Sequence, residues 1–238
     1  MLLTKGERIM TADINYLKHY DKDKYEKPSV AVDLLVFTIE EEKLKILLVE
    51  RNEHPFKNML SLPGVFVGIN ETLDEAAVRG AYEETGLQNI YFEQLYTWGD
   101  IDRDPRMRII SVSYLSLTNA DRLSISAGER TVSARLYDVE KLLASDMELA
   151  FDHKKIIAYG RERIRNKTEY TNIAFEFLKE EFTLPQLQKV YEILLGRPLY
   201  KANFRRKIMP LIEETDKMTS GDAHRPSKYY RLVKEREE

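Results

Sequence analysis

Cysteine is absent from all 238 residues, which excludes disulfides, thiolate nucleophiles and zinc sites of the cysteine type. Histidine is scarce: His19, His54, His153 and His224 are too scattered along the chain to suggest a metal cluster. Long apolar runs are missing too. Nothing approaches the ~20 residues that span a bilayer, and the first ten residues, MLLTKGERIM, lack the apolar stretch of a signal peptide. A cytoplasmic protein with no membrane partner is expected. Repeats and low-complexity tracts are absent as well. What is present is 43% apolar and 32% charged, a balance that suits a globular chain with material for a sizeable core. The length exceeds a typical domain of ~100–150 residues, so two domains are expected.

Charge is unevenly spread. Residues 1–160 hold 20 basic and 27 acidic side chains, a net of −7, whereas residues 161–238 hold 17 and 13, a net of +4. A basic segment on an acidic chain hints at a module that faces nucleic acid.

The densest pattern is GVFVGINETLDEAAVRGAYEETGL, residues 64–87. Thr72 followed by Glu75 reads as a capping box and Gly86 as the residue past a helix end, which predicts a helix over Leu73–Thr85. Glu71, Arg79, Glu83, Glu84, Gly86 and Leu87 stand at the spacing of the Nudix box: Gly, five residues, Glu, seven residues, then Arg-Glu-apolar-x-Glu-Glu-x-Gly-apolar. The stretch resembles that box with two departures. Val65 stands in place of its first glycine, and Gly80 in place of the glutamate after the arginine. Position 80 lies one helical turn before Glu83 and Glu84, so a carboxylate there would help to build an oxygen-rich magnesium site. Gly80 removes that ligand or general base, and glycine at mid-helix costs ~1 kcal/mol against alanine. A Nudix fold is therefore expected, with Glu83, Glu84 and Arg79 as catalytic remnants and magnesium at Glu83 and Glu84 weak or absent. The plainer alternative is a solvated face of an amphipathic helix.

Around this box, Ser29–Ile39 reads as a buried strand, Glu40–Lys43 as a turn and Leu44–Arg51 as a second strand. Further strands are predicted at Tyr91–Trp98, Arg108–Leu117 and Ala134–Asp138, then a helix from Asp152 to about Arg165 and a linker at Asn166–Tyr170. Interleaved strands and helices indicate an α/β domain over residues 28–165, preceded by an extension, residues 1–27, without a core pattern.

Residues 166–238 have another texture. In FTLPQLQKVYEILLGRPL, Thr183 is an N-cap, Pro185 sits in the first turn, Leu187, Val190, Tyr191, Leu194 and Leu195 form the apolar stripe, and Gly196 follows the end. After the short turn Arg197–Tyr200, Phe204 and Ile208 form an inward pair. Lys201, Asn203, Arg205, Arg206 and Lys207 point outward, and Pro210 stops the helix. Two helices joined by a tight turn, the second of them basic, describe a helix-turn-helix. Two strand-like pieces around the polar loop 219–226 add a wing, with His224, Arg225, Lys228 and Arg231 in or beside it. Lysine and arginine there can neutralise phosphates, and an outward Asn203 or arginine can read base edges in the major groove. Ordinary helix packing with a solvated basic face is the alternative.

Together these features resemble the Nudix-related transcriptional regulators, which include NAD-metabolism repressors and sugar-responsive regulators. The likeness runs nearly end to end, through NYLKHYDKDKYEKPSVAVDLLVFTI, ERNEHPF, GDIDRDPRMRIISVSYLSL, LAFDHKKII and the block from FTLPQLQKVYEILLGRPL to FRRKI. It implies a Nudix-type α/β/α sandwich followed by a C-terminal winged helix. It also implies a homodimer on a double-stranded DNA operator, with an ADP-ribose-like nucleotide sugar or a plain sugar as effector in the former catalytic cleft. Candidates to pair with effector phosphate or ribose oxygens are Arg51, Arg103 and Arg108; candidates to accept from sugar hydroxyls are Glu71, Asp100, Asp102 and Asp104. Alternatively, IDRDPRMR is a loop whose charges neutralise one another. Tyr96 and Trp98 suit stacking on a base and a place in the core equally. The alternative function is a slow, magnesium-dependent Nudix diphosphatase acting on a nucleoside diphosphate linked to another moiety. In that case Gly80→Glu is expected to raise the rate.

Overall fold

The computed structural model describes residues 11–219 and 226–233. Helix α1 (Thr11–His19) comes first and leaves Ile14, Tyr16 and Leu17 exposed. The strand that organises the sheet is β1 (Ser29–Glu40), in which Val32–Thr38 are all buried. Such a run needs cover on both faces, and side-chain alternation supplies it. Val32, Leu34 and Val36 enter one core cluster while Leu35 and Phe37 enter the other.

A tight turn through Glu41 and Glu42, both in the left-handed region, leads into β2 (Lys43–Arg51). The short strands β3 (Leu60–Ser61) and β4 (Gly64–Phe66) pair with β2 and β1. Strand β6 (Ile109–Leu117) runs parallel to β1, with β5 (Glu93–Trp98) outside it, and β7 (Thr131–Asp138) pairs with β2. Helix α2 (Leu73–Thr85) covers one face with Ala76, Ala77 and Ala81. Both predicted caps are present: Thr72 and Glu75 exchange hydrogen bonds, and Gly86 is left-handed at φ 71°.

The opposite face carries α3 (Val139–Ala144) and α4 (His153–Tyr170), the latter through Ile156, Ile157 and Ile164. This completes an α/β/α sandwich. Helix α4 corrects one expectation, because the predicted linker Asn166–Tyr170 is its final stretch. NKTEY contains no glycine or proline to stop a helix. Thr168 is buried there, its Oγ1 donating to the Ile164 carbonyl at 2.8 Å.

Beyond α4, a 3-10 turn (Ile173–Phe177) and β8 (Phe182–Thr183) lead into α5 (Leu184–Leu195) and α6 (Lys201–Ile208). Strands β9 (Ile212–Met218) and β10 (Lys228–Leu232) complete a sheet of order β8-β10-β9. Helix α5 has the predicted N-cap, Thr183, which the structure shows closing a capping box with Gln186, and it ends at left-handed Gly196. Phe175, Leu187, Leu194, Phe204 and Ile208 belong to the same core cluster as Leu35, Ile156 and Ile157. The winged helix therefore packs on the sandwich through α4. Among the described residues, no helix is long and apolar enough to cross a membrane.

Candidate functional site

The residues that match the Nudix box divide into two groups. Arg79 donates to Glu71 from Nε at 3.0 Å and Nη2 at 2.6 Å, to the Phe66 carbonyl at 2.9 Å and to Glu83 at 2.9 Å. Glu71 also accepts from the Gly68 N–H at 2.6 Å. Chiefly through the Arg79 hydrogen bonds, its carboxyl is held down at about 2. Arg79 thus staples the middle of α2 to the preceding loop through Glu71 and Phe66, while Glu83 holds it from within the helix. Glu84 is buried on the other side, near Arg51 and Arg130, and burial pushes its carboxyl up to about 6 against the pull of those arginines.

Positions 80, 83 and 84 were expected to share a face of α2, but the two glutamates part. Glu83 turns to Arg79, and Gly80 lies under Val65, where a Cβ would sit 2.8 Å from Val65 Cγ2. Among the described residues, no three side chains of the metal-ligating types converge. Magnesium requires a near-octahedral set of oxygens. Of the carboxylates that line the cleft, Asp33 and Asp104 are held by arginines, Glu53 lies 3.7 Å from Arg130, and Glu84 faces Arg51 and Arg130, so the set does not fit it.

Glu84 opens onto a cleft of about 70 Å³ between α2, β4 and the loops after β2, β5 and β6. Arg51, Arg106 and Arg130 line it, with Phe66 and Phe151 as aromatic walls. The Arg51 guanidinium lies 4.9 Å from the Phe151 ring centre, and Arg106 lies 5.3 Å from Phe66 and 5.7 Å from Phe151. Burial, reinforced by the positive charge of Arg106, lowers the Arg51 pKa.

The floor is a buried ionic cluster. Arg103 donates to Asp152 from Nε at 3.1 Å and from Nη2 at 2.7 Å, and Nη2 also reaches Asp33 at 3.1 Å. Ser111 Oγ donates to Asp33 at 2.5 Å. The Leu62 N–H donates to His153 Nδ1 at 2.9 Å, leaving Nε2 to face Asp33 at 3.5 Å. Burial alone would raise the Asp33 carboxyl, but His153, Arg103 and Ser111 outweigh it and hold it at about 2. Asp152 and His153 open α4, so this floor is joined to the helix on which the winged helix packs.

The candidate residues therefore separate. Arg51, Arg103 and Asp104 reach the cleft, although Arg103 is held by two aspartates and Asp104 by Arg106 at 2.8 Å. Glu71, Asp100, Asp102 and Arg108 do not line it. Glu71 is bound to Arg79, Asp102 is exposed, Asp100 pairs with Lys155 at 2.6 Å, and Arg108 donates to the Asp100 carbonyl at 2.9 Å. Within IDRDPRMR, Asp104 and Arg106 neutralise each other, whereas Arg103 pairs outside the loop with Asp33 and Asp152. Trp98 is buried beside Tyr96 and Tyr159, with Nε1 donating to Ser113 at 3.0 Å, which makes it core. Sequence reasoning missed Arg106, Arg130, Phe66, Phe151 and Asp33. Only Asp33 left a signal, as a lone charge in an otherwise apolar strand.

On α6, Lys201, Asn203, Arg205 and Arg206 are exposed and make no side-chain hydrogen bond or ion pair among the described residues. Phe204 and Ile208 fix this orientation by burying the opposite side. Lys207 differs, donating to the Glu169 carbonyl at 3.1 Å and lying 5.7 Å from the Tyr191 ring centre. In the wing, Lys228 pairs with Glu214, and Arg231 with Glu213 at 2.6 Å. His224 and Arg225 lie outside the described residues.

A Nudix sandwich with a broken box, followed by a winged helix with a bare basic face, defines a class of protein: a Nudix-related DNA-binding regulator. Comparison with known proteins narrows this. A model of the NUDIX domain matches residues 27–159, and a model of the NrtR DNA-binding winged helix domain matches residues 174–232. The ADPR responsive transcriptional repressor NtrR of Acinetobacter baylyi is 35% identical over 224 residues, 92% of this chain and 87% of that protein. Shewanella oneidensis NrtR, solved with a 27mer DNA, superposes with a TM-score of 0.74 and 34% identity, covering 86% of this chain and 93% of that one. Its Nudix domain solved with ADP ribose gives 0.58 and 32%, covering 65% and 99%. An ADP-ribose pyrophosphatase of Methanocaldococcus jannaschii is 39% identical over 144 residues, 59% of this chain and 79% of that protein. The chain belongs to the NrtR family of Nudix-related transcriptional regulators.

Proposed function

We propose that the protein is a transcriptional repressor that binds operator DNA as a homodimer in the cytoplasm and takes ADP-ribose as its effector in the Nudix cleft. The observation that carries this reading is the bare face of α6, where Lys201, Asn203, Arg205 and Arg206 have no hydrogen-bond or ion-pair partner among the described residues. Lys201 and Arg205 act only through space on Glu192 and Glu214 among the described residues, so the cations on this face remain suited to phosphates, and Asn203 among them is suited to a base edge.

The cleft supports the effector half. Arg106 and Arg130 both repel Arg51 across it, and a diphosphate among them relieves that repulsion. Phe66 and Phe151 offer apolar faces to a base or sugar ring. The relatives named for ADP-ribose response and solved with ADP ribose favour this ligand over a plain sugar. Helix α4 supplies a route between the sites: Asp152 and His153 belong to the cleft floor, while Arg161 donates to the Leu194 carbonyl of α5 at 2.7 Å and the Glu169 carbonyl accepts from Lys207 of α6.

The test is fluorescence anisotropy of a duplex from upstream of the protein's own gene, against a scrambled duplex, at physiological salt. Specific binding at roughly 10⁻⁸ M or tighter is expected. ADP-ribose is expected to weaken it by ~5–150-fold, the usual range of allosteric coupling. Equal affinity for both duplexes, unmoved by ADP-ribose, would sink the proposal.

A further inference from the structure

The two positions at which the chain departs from the Nudix box, Val65 and Gly80, are neighbours in space. A Cβ built on Gly80 falls 2.8 Å from Val65 Cγ2, 3.3 Å from Cγ1 and 3.6 Å from Cβ. Contacts under 3.0 Å force something to shift, and Val65 has little freedom to do so. It lies on β4 opposite Val32 of β1, is buried, and shares a core cluster with Ala76, Ala77 and Ala81 of α2. Its β-branched side chain is also stiff at χ1. Conversely, glycine at position 65 would remove both methyl groups that stand over position 80.

We propose that Val65 and Gly80 are a single interlocked change. The Val65 isopropyl group fills the space of the side chain missing at position 80, and so bars from the cleft both a carboxylate and the divalent cation it would share with Glu84. The two departures thus depend on each other, and restoring the glutamate alone cannot restore the site. The inference concerns the cleft of the proposed regulator, yet its test uses neither DNA nor ADP-ribose, so it can fail while that function stands.

Alanine ordinarily stabilises a helix interior relative to glycine. The interlock reverses that sign. Thermal unfolding of the full chain should show Gly80→Ala lowering Tm in the parent protein but raising it in a Val65→Ala background, where the nearest remaining atom is Cβ at 3.6 Å. The same sign in both backgrounds overturns the interlock. A second measurement follows free Mn²⁺ by electron paramagnetic resonance. The Val65→Gly, Gly80→Glu double variant should bind Mn²⁺ saturably and lose that binding when Glu84→Gln is added, whereas the parent and the Gly80→Glu single variant should not bind saturably. Saturable binding by the parent that Glu84→Gln removes, or a folded double variant that binds no Mn²⁺, overturns the claim about the cation.

Discussion

The cleft and helix α6 both gather arginines, but they hold them in opposite states. In the cleft, Arg103 is clamped by Asp33 and Asp152, Arg106 by Asp104, and Arg51 by the Pro55 carbonyl at 3.0 Å. On α6, Lys201, Asn203, Arg205 and Arg206 point at solvent, with no hydrogen bond or ion pair among the described residues to hold them. Internal pairing fixes a geometry before any ligand arrives, which favours recognition of one small molecule. Exposed cations that no hydrogen bond among the described residues holds suit a polyanion, whose released counterions drive binding and whose flexible register they can follow. The same residue type thus serves a shaped site and an electrostatic one, and the neighbours decide which.

Arg103 is where the locked state of the cleft is lost most visibly. Arg103→Ala leaves Asp33 buried without its guanidinium partner and should cost ~3–5 kcal/mol, lowering Tm by roughly 10 °C in a chain of this size. A Tm shift under about 2 °C would show that the cluster does not lock the cleft. Next in size, Arg205→Ala or Arg206→Ala should weaken operator binding by ~10–100-fold and reduce the salt slope by ~0.9 for each phosphate no longer neutralised. Because these side chains are not tied to the rest of the described fold, Tm should hardly move. A large loss of stability would mean that α6 is structural after all.

The third change probes the charge inside the cleft. The folded-state pKa of Glu84, about 6, lies above its ordinary value of 4.5, so its stability contribution is complete below pH 4.5 and is lost as pH rises through 6. Glu84→Gln removes that loss. It should stabilise the protein at pH 7.5 by roughly 2 kcal/mol relative to its effect at pH 4. An identical effect on Tm at both pH values would contradict the buried, anionic Glu84 described above. The smallest effect belongs to Lys228. An exposed ion pair is worth ~0–1 kcal/mol, and because Lys228 is already paired with Glu214, Lys228→Ala should change operator affinity less than Lys201→Ala. Equal effects would place the wing strand against DNA on the same footing as α6.

What could be read from sequence was what local chemistry determines. The bounds of α2 and α5 follow from Thr72, Glu75 and Gly86, and from Thr183, Pro185 and Gly196, because caps act within one turn. The inward pair Phe204 and Ile208 was legible from helical spacing, and with it the outward face of α6. Tertiary approach was not legible. Arg106 and Arg130 reach the cleft from separate loops, and β3 and β4 are too short to show a period. The engagement of Glu71 by Arg79 also has a local component, but whether a carboxylate faces a cleft or a staple depends on the loop fold around it. The approach of Val65 to Gly80 joins a strand to a helix, so each substitution read alone looked like independent damage.

The proposed regulation requires cleft and helix to be coupled through the structure that joins them. The most direct test is to titrate ADP-ribose by calorimetry into the free protein and into the protein saturated with operator DNA. Linkage requires ADP-ribose affinity to fall on DNA by the same factor, ~5–150, by which ADP-ribose weakens DNA binding. If ADP-ribose binds with one affinity whether or not operator is present, the two sites act independently and ADP-ribose does not regulate DNA binding.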